Sequence, residues 1–257
     1  NIINQLSFTM KFTVAAFLAT SATAFSPAQQ AGRASTSLNL NGWTADANKF
    51  CFGLPGSLPP VGEFDPAGFA AGADLDTIKK YREAELQHGR VAMLASIGML
   101  VTEEPLEFHP LFEASNKDIG PAIRHLDEVR AVEPLFFVAL TVLIGALELN
   151  RAQVGWKAPD AGSLGRVSSD SGTMFQDLNE NYYPGDVGFD PLGLKPEDPA
   201  EFAEIQTKEL QNGRLAMLGA AGMILQELVN GKEIFVNLGL AVDRFDAASQ
   251  AQLPIQF

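Results

Sequence analysis

Residues 85 to 94 read Glu-Leu-Gln-His-Gly-Arg-Val-Ala-Met-Leu and residues 209 to 218 read Glu-Leu-Gln-Asn-Gly-Arg-Leu-Ala-Met-Leu, eight identities in ten positions. Each copy sets a carboxylate (Glu85, Glu209), a neutral donor three residues later (His88, Asn212) and an arginine five residues later (Arg90, Arg214) at the head of an apolar run. A carboxylate and a neutral lone-pair donor three apart share a helix face, where they can coordinate a cation, and a nearby arginine can balance residual charge. Ionisable groups leading into a long apolar helix are costly and mark a functional site.

On a helix Glu85 and Arg90 point about 140° apart, so the arginine cannot serve its own glutamate. Two helices crossing near Gly89 and Gly213 would let Arg214 reach Glu85 and Arg90 reach Glu209. A charge left unpaired at mid-bilayer would cost roughly 2.5 to 3.5 kcal/mol. Such a clasp accounts for the glutamates and arginines but not for His88, Asn212 or Gln226. These three share a neutral lone pair of the kind a hard cation such as Mg²⁺ accepts. The Mg of a chlorophyll is already neutralised by its macrocycle, so a neutral axial ligand needs no counter-ion, whereas a glutamate ligand leaves one charge for an arginine. Glu148, with Arg151 three residues later on the same face, repeats that logic. Two alternatives stay open. Glu85-x-x-His88 is also the helical ligand pair of di-iron carboxylate bundles, although the second copy lacks the required histidine; His88 could also be a satisfied histidine at a helix interface.

Three segments have helical character and membrane-like apolarity, roughly residues 74 to 102, 132 to 154 and 199 to 230. Their uninterrupted apolar runs fall short of the roughly 18 residues of an obvious span. The first and third span a bilayer if their charged N-terminal halves continue as helix, at about 1.5 Å per residue. Asp74 and Asp198-Pro199 supply N-cap chemistry, and Asn230-Gly231 a C-terminal stop. Small residues recur where the helices would touch: Gly89, Ala92, Ala95 and Gly98, then Gly213, Ala216, Gly219 and Gly222. The duplication extends upstream, since Phe64-Asp65-Pro66 reappears as Phe189-Asp190-Pro191. A repeat spacing of about 125 residues exceeds any solenoid unit, so these are two related halves of one fold. Residues 233 to 242 carry Ile234, Phe235, Leu238 and Val242 at helical spacing and predict a short amphipathic helix at the interface.

The 257 residues carry a net charge of −13, which argues against nucleic acid as a partner. The single cysteine, Cys51, excludes an internal disulfide and a multi-cysteine metal site. Met10-Lys11, the apolar stretch 12 to 19 and the small-residue tract 20 to 24 have the order of a signal peptide. The stretch that follows contains Arg33, several Ser and Thr and no acidic residue before Asp46, as in a transit peptide. A bipartite plastid presequence and an ordinary secretory signal both fit this segment.

With these motifs the chain resembles the light-harvesting chlorophyll-binding superfamily, specifically the fucoxanthin chlorophyll a/c antenna proteins of algae with secondary red plastids, and also their stress-related photoprotective branch. The resemblance covers about residues 52 to 240. It implies an all-α membrane fold of three transmembrane helices, the first and third crossing as a pseudo-two-fold pair, plus a short amphipathic lumenal helix. Residues 1 to 40 would be the presequence, 41 to 73 a stromal loop, 74 to 242 the pigment-binding domain and 243 to 257 a lumenal tail. Chlorophyll Mg would be ligated by Glu85, His88, Glu148, Glu209, Asn212 and Gln226, with Arg90 and Arg214 completing the cross-pairs. The loops at Asp65 and Asp190 would receive carotenoid head groups. Where plant members carry a glutamine ligand eight residues before the middle-helix glutamate, this chain has Leu140. The implied cofactors are chlorophyll a, chlorophyll c and fucoxanthin or a diadinoxanthin-type carotenoid. The implied setting is the plastid thylakoid membrane, among its lipids, with a photosystem I or II core and other antenna subunits as partners and no bond chemistry. The segment 103 to 128 would then be a lumenal loop, by default solvated, whose carboxylates and histidines (Glu103, Glu104, Glu107, His109, Glu113, Asp118, His125, Asp127, Glu128) could titrate as the lumen acidifies.

Overall fold

The two crossing helices start where the sequence places their caps. In the computed structural model, which describes residues 40 to 103, 106, 108 to 110, 120 to 157 and 177 to 241, α1 runs Leu75–Thr102. Asp74 accepts the Thr77 N–H at 3.2 Å and so satisfies one of the orphan donors of the first turn. The short α2, His125–Val132, follows a 3₁₀ turn at Ala122–Arg124, and α3 spans Leu135–Gly155. The long α4, Pro199–Asn230, opens with Asp198 accepting from Glu201 N and Pro199 at its first position. It closes on Gly231, whose left-handed φ of 66° lets its N–H reach Glu227 O at 2.7 Å. A single turn, α5 at Ile234–Asn237, completes the described chain. No strand occurs among the described residues, only two isolated bridges. The chain divides into residues 1 to 37, which lie outside the described residues, and a unit formed by Leu38–Phe257.

Two expectations need correction. The loop expected over residues 103 to 128 contains the start of α2, and the middle helix begins at Leu135, three residues later than the hydropathy suggests. Pro134 forces that break: it has no N–H to continue α2, and the Glu133 preceding it leaves helical geometry at φ −140°, ψ 83°. The amphipathic helix expected over 233 to 242 is only the one turn of α5, because Gly239 takes φ 70° and ends it; Val242 lies outside the described residues.

α1 and α4 pack backbone to backbone. A Cβ placed on Gly89 would lie 3.0 Å from Gly213 Cα, and one on Gly213 equally close to Gly89 Cα. Ser96 Oγ bonds to Ala92 O at 2.8 Å and to Ala216 O at 3.3 Å, tying the pair one turn and more past the crossing. Gly98, Gly219 and Gly222, expected at this contact, face open space. The helix period explains it: Gly98 and Gly222, nine residues beyond Gly89 and Gly213, lie about 180° around the axis, and Gly219, six beyond Gly213, lies about 120° away.

An apolar core sits at the N-terminal ends of both helices, where Leu54, Ile78 and Tyr183 pack with Trp43, Phe52 and Phe202. The Tyr183 ring meets Trp43 and Phe202 edge-on at 5.8 and 6.0 Å between centroids. Beyond it, large apolar side chains face outward. Leu94 is 75% exposed and Leu218, its counterpart in the repeat, 76%. α3 is long and apolar enough to cross a membrane, and of its residues only Gly155 is buried. Apolar flanks of this extent need an apolar solvent or ligands.

Candidate pigment-binding site at the helix crossing

The geometry at the crossing is reciprocal. Arg214 Nε donates to Glu85 Oε1 at 2.8 Å, and Arg90 Nε donates to Glu209 Oε1 at 2.7 Å. Each arginine also ties down a loop: Arg214 Nη1 donates to Gly56 O at 2.7 Å and Arg90 Nη2 to Gly185 O at 3.0 Å. The copies differ in one charge. Arg82 lies at 3.2 Å from Glu85 Oε2 and also binds Pro55 O, whereas the matching place in the second copy holds Gln206, which bonds the Tyr183 hydroxyl. Glu85 therefore sits between two arginines and Glu209 has one.

The neutral candidates are held so that one donor atom stays available. His88 Nδ1 lies 2.7 Å from Ala84 O; that carbonyl fixes the proton on Nδ1 and leaves the Nε2 lone pair free. Asn212 Nδ2 donates to Lys208 O at 2.8 Å, which leaves Oδ1 as the unused oxygen. Both side chains are exposed on the flanks of the crossed pair. The two residue types reach the same end by the same device, a bond back to the carbonyl four residues earlier. Gln226 is half-buried, and its Nε2 has no hydrogen-bond partner.

Glu148 on α3 is gripped from two helices. Its Oε2 accepts from Arg151 Nη1 at 2.7 Å and its Oε1 from Gln87 Nε2 of α1 at 2.9 Å. Leu140, eight residues earlier on the same helix, offers no donor atom. Arg151 Nε reaches on to Glu83 Oε1 at 2.9 Å. Glu83, Gln87 and Arg82 were not foreseen as site residues. The signal for Glu83 was its position two residues before Glu85 on a charged helix, and nothing in the sequence says what it meets.

Asp65 and Asp190 do not project into the crossing. Asp65 accepts the N–H groups of Phe69 and Ala70, and Asp190 those of Leu194 and Lys195, the same i+4 and i+5 closure in both copies. These backbone bonds hold the Asp190 carboxyl below its usual range. What each loop exposes is apolar: Phe64 and Phe69 in one, Phe189 and Leu194 in the other. Nearby, burial opposes ionisation of Asp186, but Lys195 Nζ at 2.6 Å and Asn41 Nδ2 at 2.8 Å hold it lowered.

At the opposite end lies a second cluster. Glu103, expected as part of a solvated loop, is buried, as are Glu227 and Glu233. Glu103 Oε2 accepts the Ile234 N–H and Glu227 Oε2 the Ile123 N–H, each at 2.7 Å. The carboxyls are neighbours, and the Oε1 of each is buried with no N–H donor. Each caps a stray backbone N–H of the facing segment, which explains why the chain draws them inward. His125 Nε2 contacts Gly120 O at 3.0 Å, and burial pushes its pKa down. Glu104, Glu107, Glu113 and Asp118 lie outside the described residues.

Residues 50–228 match the model of the chlorophyll a-b binding protein family. The chain belongs to that family. It is 45% identical over 201 residues to a fucoxanthin-chlorophyll a-c binding protein of Isochrysis galbana, covering 78% of this chain and 88% of the relative. It is 44% identical over 192 residues to light-harvesting complex stress-related protein 3.2 of Chlamydomonas reinhardtii, covering 74% and 69%. A chlorophyll a-b binding protein of Petunia hybrida matches at 35% over 187 residues, 72% of this chain and 64% of that one. Neutral donors free on an apolar flank, and carboxylates already balanced by arginine, fit a ligand whose metal charge is already neutralised by its own macrocycle.

Proposed function

We propose that the protein is a light-harvesting antenna of the plastid thylakoid membrane, binding chlorophyll a, chlorophyll c and fucoxanthin or a related carotenoid, and passing excitation to a photosystem. In this reading α1, α3 and α4 all cross the membrane, residues 1 to 40 are a presequence, 41 to 73 form a stromal loop, 74 to 242 bind pigment and 243 to 257 are a lumenal tail. His88 Nε2, Asn212 Oδ1 and the balanced carboxylates Glu85, Glu209 and Glu148 would hold chlorophylls, with Gln226 as a further ligand on α4. Bound chlorophyll supplies the absorbing and energy-transferring chemistry; the chain fixes position and orientation. The observation that carries the reading is the division of labour at the crossing: every ligand candidate with a charge has an arginine, and the two without charge keep a lone pair free. Among the described residues no group of three or more His, Cys, Asp and Glu is placed to hold a bare metal ion. Pigment chromatography of the natively purified protein tests the proposal. Chlorophyll a with chlorophyll c and fucoxanthin supports it; a colourless chain contradicts it.

The photoprotective branch is a second reading, favoured by the buried Glu103 and Glu227 at one end of the crossed pair. Neighbouring buried carboxyls repel when both are ionised. Chlorophyll fluorescence lifetime of the isolated protein, followed from about pH 7.5 to about pH 5, separates the two roles. Shortening on acidification marks a quencher, and a constant lifetime an antenna.

A further inference from the structure

Glu83 has no counterpart in the repeat, where Thr207 stands, yet it is 3% exposed. Its Oε1 accepts from Arg151 Nε and Nη2, both at 2.9 Å. Its Oε2 accepts the Tyr182 hydroxyl at 3.0 Å and the Gly185 N–H at 2.6 Å. Burial first, and then the Glu83 carboxylate, push the Tyr182 phenol up, which keeps its proton on the oxygen that donates. Arg151 is thus shared between a carboxylate of α1 and Glu148 of its own helix. Gly185 is shared too: its N–H serves Glu83, while its carbonyl accepts from Arg90, the partner of Glu209.

The cost of this arrangement says what it is for. Arg151 already has a carboxylate three residues away, enough to neutralise it. Burying a second anion is expensive, and an apolar side chain at position 83 would pack α1 against the Tyr182 turn more cheaply. What an apolar residue could not do is fix the guanidinium. α3 is exposed on nearly every side, and its attachments lie at its C-terminal end: Arg151 to Glu83, Glu148 to Gln87, Asn179 Nδ2 to Val154 O, and Gly155 against the Tyr182 ring. Without Glu83 the arginine would keep only its bond to Glu148 and lose the two contacts that fix its guanidinium against α1, so the balance of the Glu148 charge would rest on a side chain held from its own helix alone.

We propose that Glu83 is the positioning residue of the middle-helix chlorophyll site, holding Arg151 where it neutralises Glu148 and linking that site through Gly185 to the Arg90–Glu209 pair. The inference rests on the pigment reading of Glu148 given above. It is tested on the full chain loaded with chlorophyll a, chlorophyll c and fucoxanthin, by chlorophyll and carotenoid per chain and by difference absorption against the wild type. Glu148→Leu defines the band of the middle-helix pigment. Glu83→Gln is expected to lose that same single chlorophyll and the same band, with carotenoid per chain unchanged, and Glu83→Gln combined with Glu148→Leu should lose no more than Glu148→Leu alone. Tyr182→Phe, which strands no charge, should shift the same band and no other. Full loading of Glu83→Gln, or a proportional loss of every pigment, would overturn the role. Additive loss in the double variant would overturn it as well. A wild-type chain that takes up no chlorophyll would instead overturn the pigment reading itself, and this inference with it.

Discussion

Arg214 and Glu85, 129 residues apart in sequence, meet at 2.8 Å across the helix crossing, and Glu85 holds a second arginine, Arg82, at 3.2 Å. The related pair, Arg90 with Glu209 at 2.7 Å, has no such reserve among the described residues. The two halves of the repeat are alike in fold and unequal in charge.

That inequality ranks two substitutions. Arg90→Leu strands Glu209 and should destabilise the pigment-loaded protein by on the order of 2 kcal/mol, below the full mid-bilayer penalty because both partners are about one-third exposed. Arg214→Leu leaves Arg82 on Glu85 and should cost less. Thermal unfolding followed by visible circular dichroism checks the order; equal losses would mean that Arg82 does not compensate.

His88→Leu strands no charge. It should remove a single chlorophyll with little loss of stability, and His88→Asn should keep that chlorophyll, since Asn212 offers its free oxygen from the matching place. Pigment stoichiometry of the two variants decides this.

Gly213→Ala should be destabilising by about 1 to 3 kcal/mol, because its Cβ would meet the Gly89 backbone at 3.0 Å and backbone cannot step aside. Gly98→Ala meets nothing within 4 Å and should be neutral or stabilising by up to about 1 kcal/mol through helix propensity. Thermal melts of both variants compare the crossing with the open face.

His125 gives a pH dependence with a definite sign. Burial lowers its folded pKa below the ordinary 6.5, so below that value the unfolded state binds the extra proton and stability is lost as pH falls. Hydrogen exchange over α2, corrected at each pH for the intrinsic amide exchange rate, should therefore show falling protection between about pH 6.5 and pH 5. His125→Phe should flatten that response. Asp186, also lowered, contributes above the ordinary carboxylate value of 3.8 and loses its contribution only in stronger acid, so the two titrations do not overlap.

The repeat made the crossing legible before any coordinates, because Glu85 and Arg90 cannot meet on one helix and a second identical set lies downstream. Asp74, Asp198 and Gly231 likewise marked the helix ends by their own chemistry. Glu83, Gln87 and Tyr182 could not be read: their partners lie 61 to 102 residues away, nothing in the second copy repeats Glu83 or Tyr182, and Gln211, which repeats Gln87, bonds Gly56 O instead of a glutamate. Glu103 looked like a solvated acid and Glu227 drew no attention, since a sequence does not show that Ile234 and Ile123 present N–H groups needing an acceptor. The small residues misled for a geometric reason, as Gly98 and Gly222 share spacing with the crossing glycines but not a face. α2 escaped notice because its eight residues mix charge and apolarity too briefly to set a period.

The most direct test is a density map of the protein purified with its native lipids, read at His88, Asn212 and Glu148. Chlorophyll Mg at about 2.0 to 2.1 Å from His88 Nε2, Asn212 Oδ1 and a Glu148 oxygen is the predicted result, with Arg90, Arg214 and Arg151 still on their carboxylates. Lipid alone along these flanks, or pigments whose Mg is ligated elsewhere, would contradict the account.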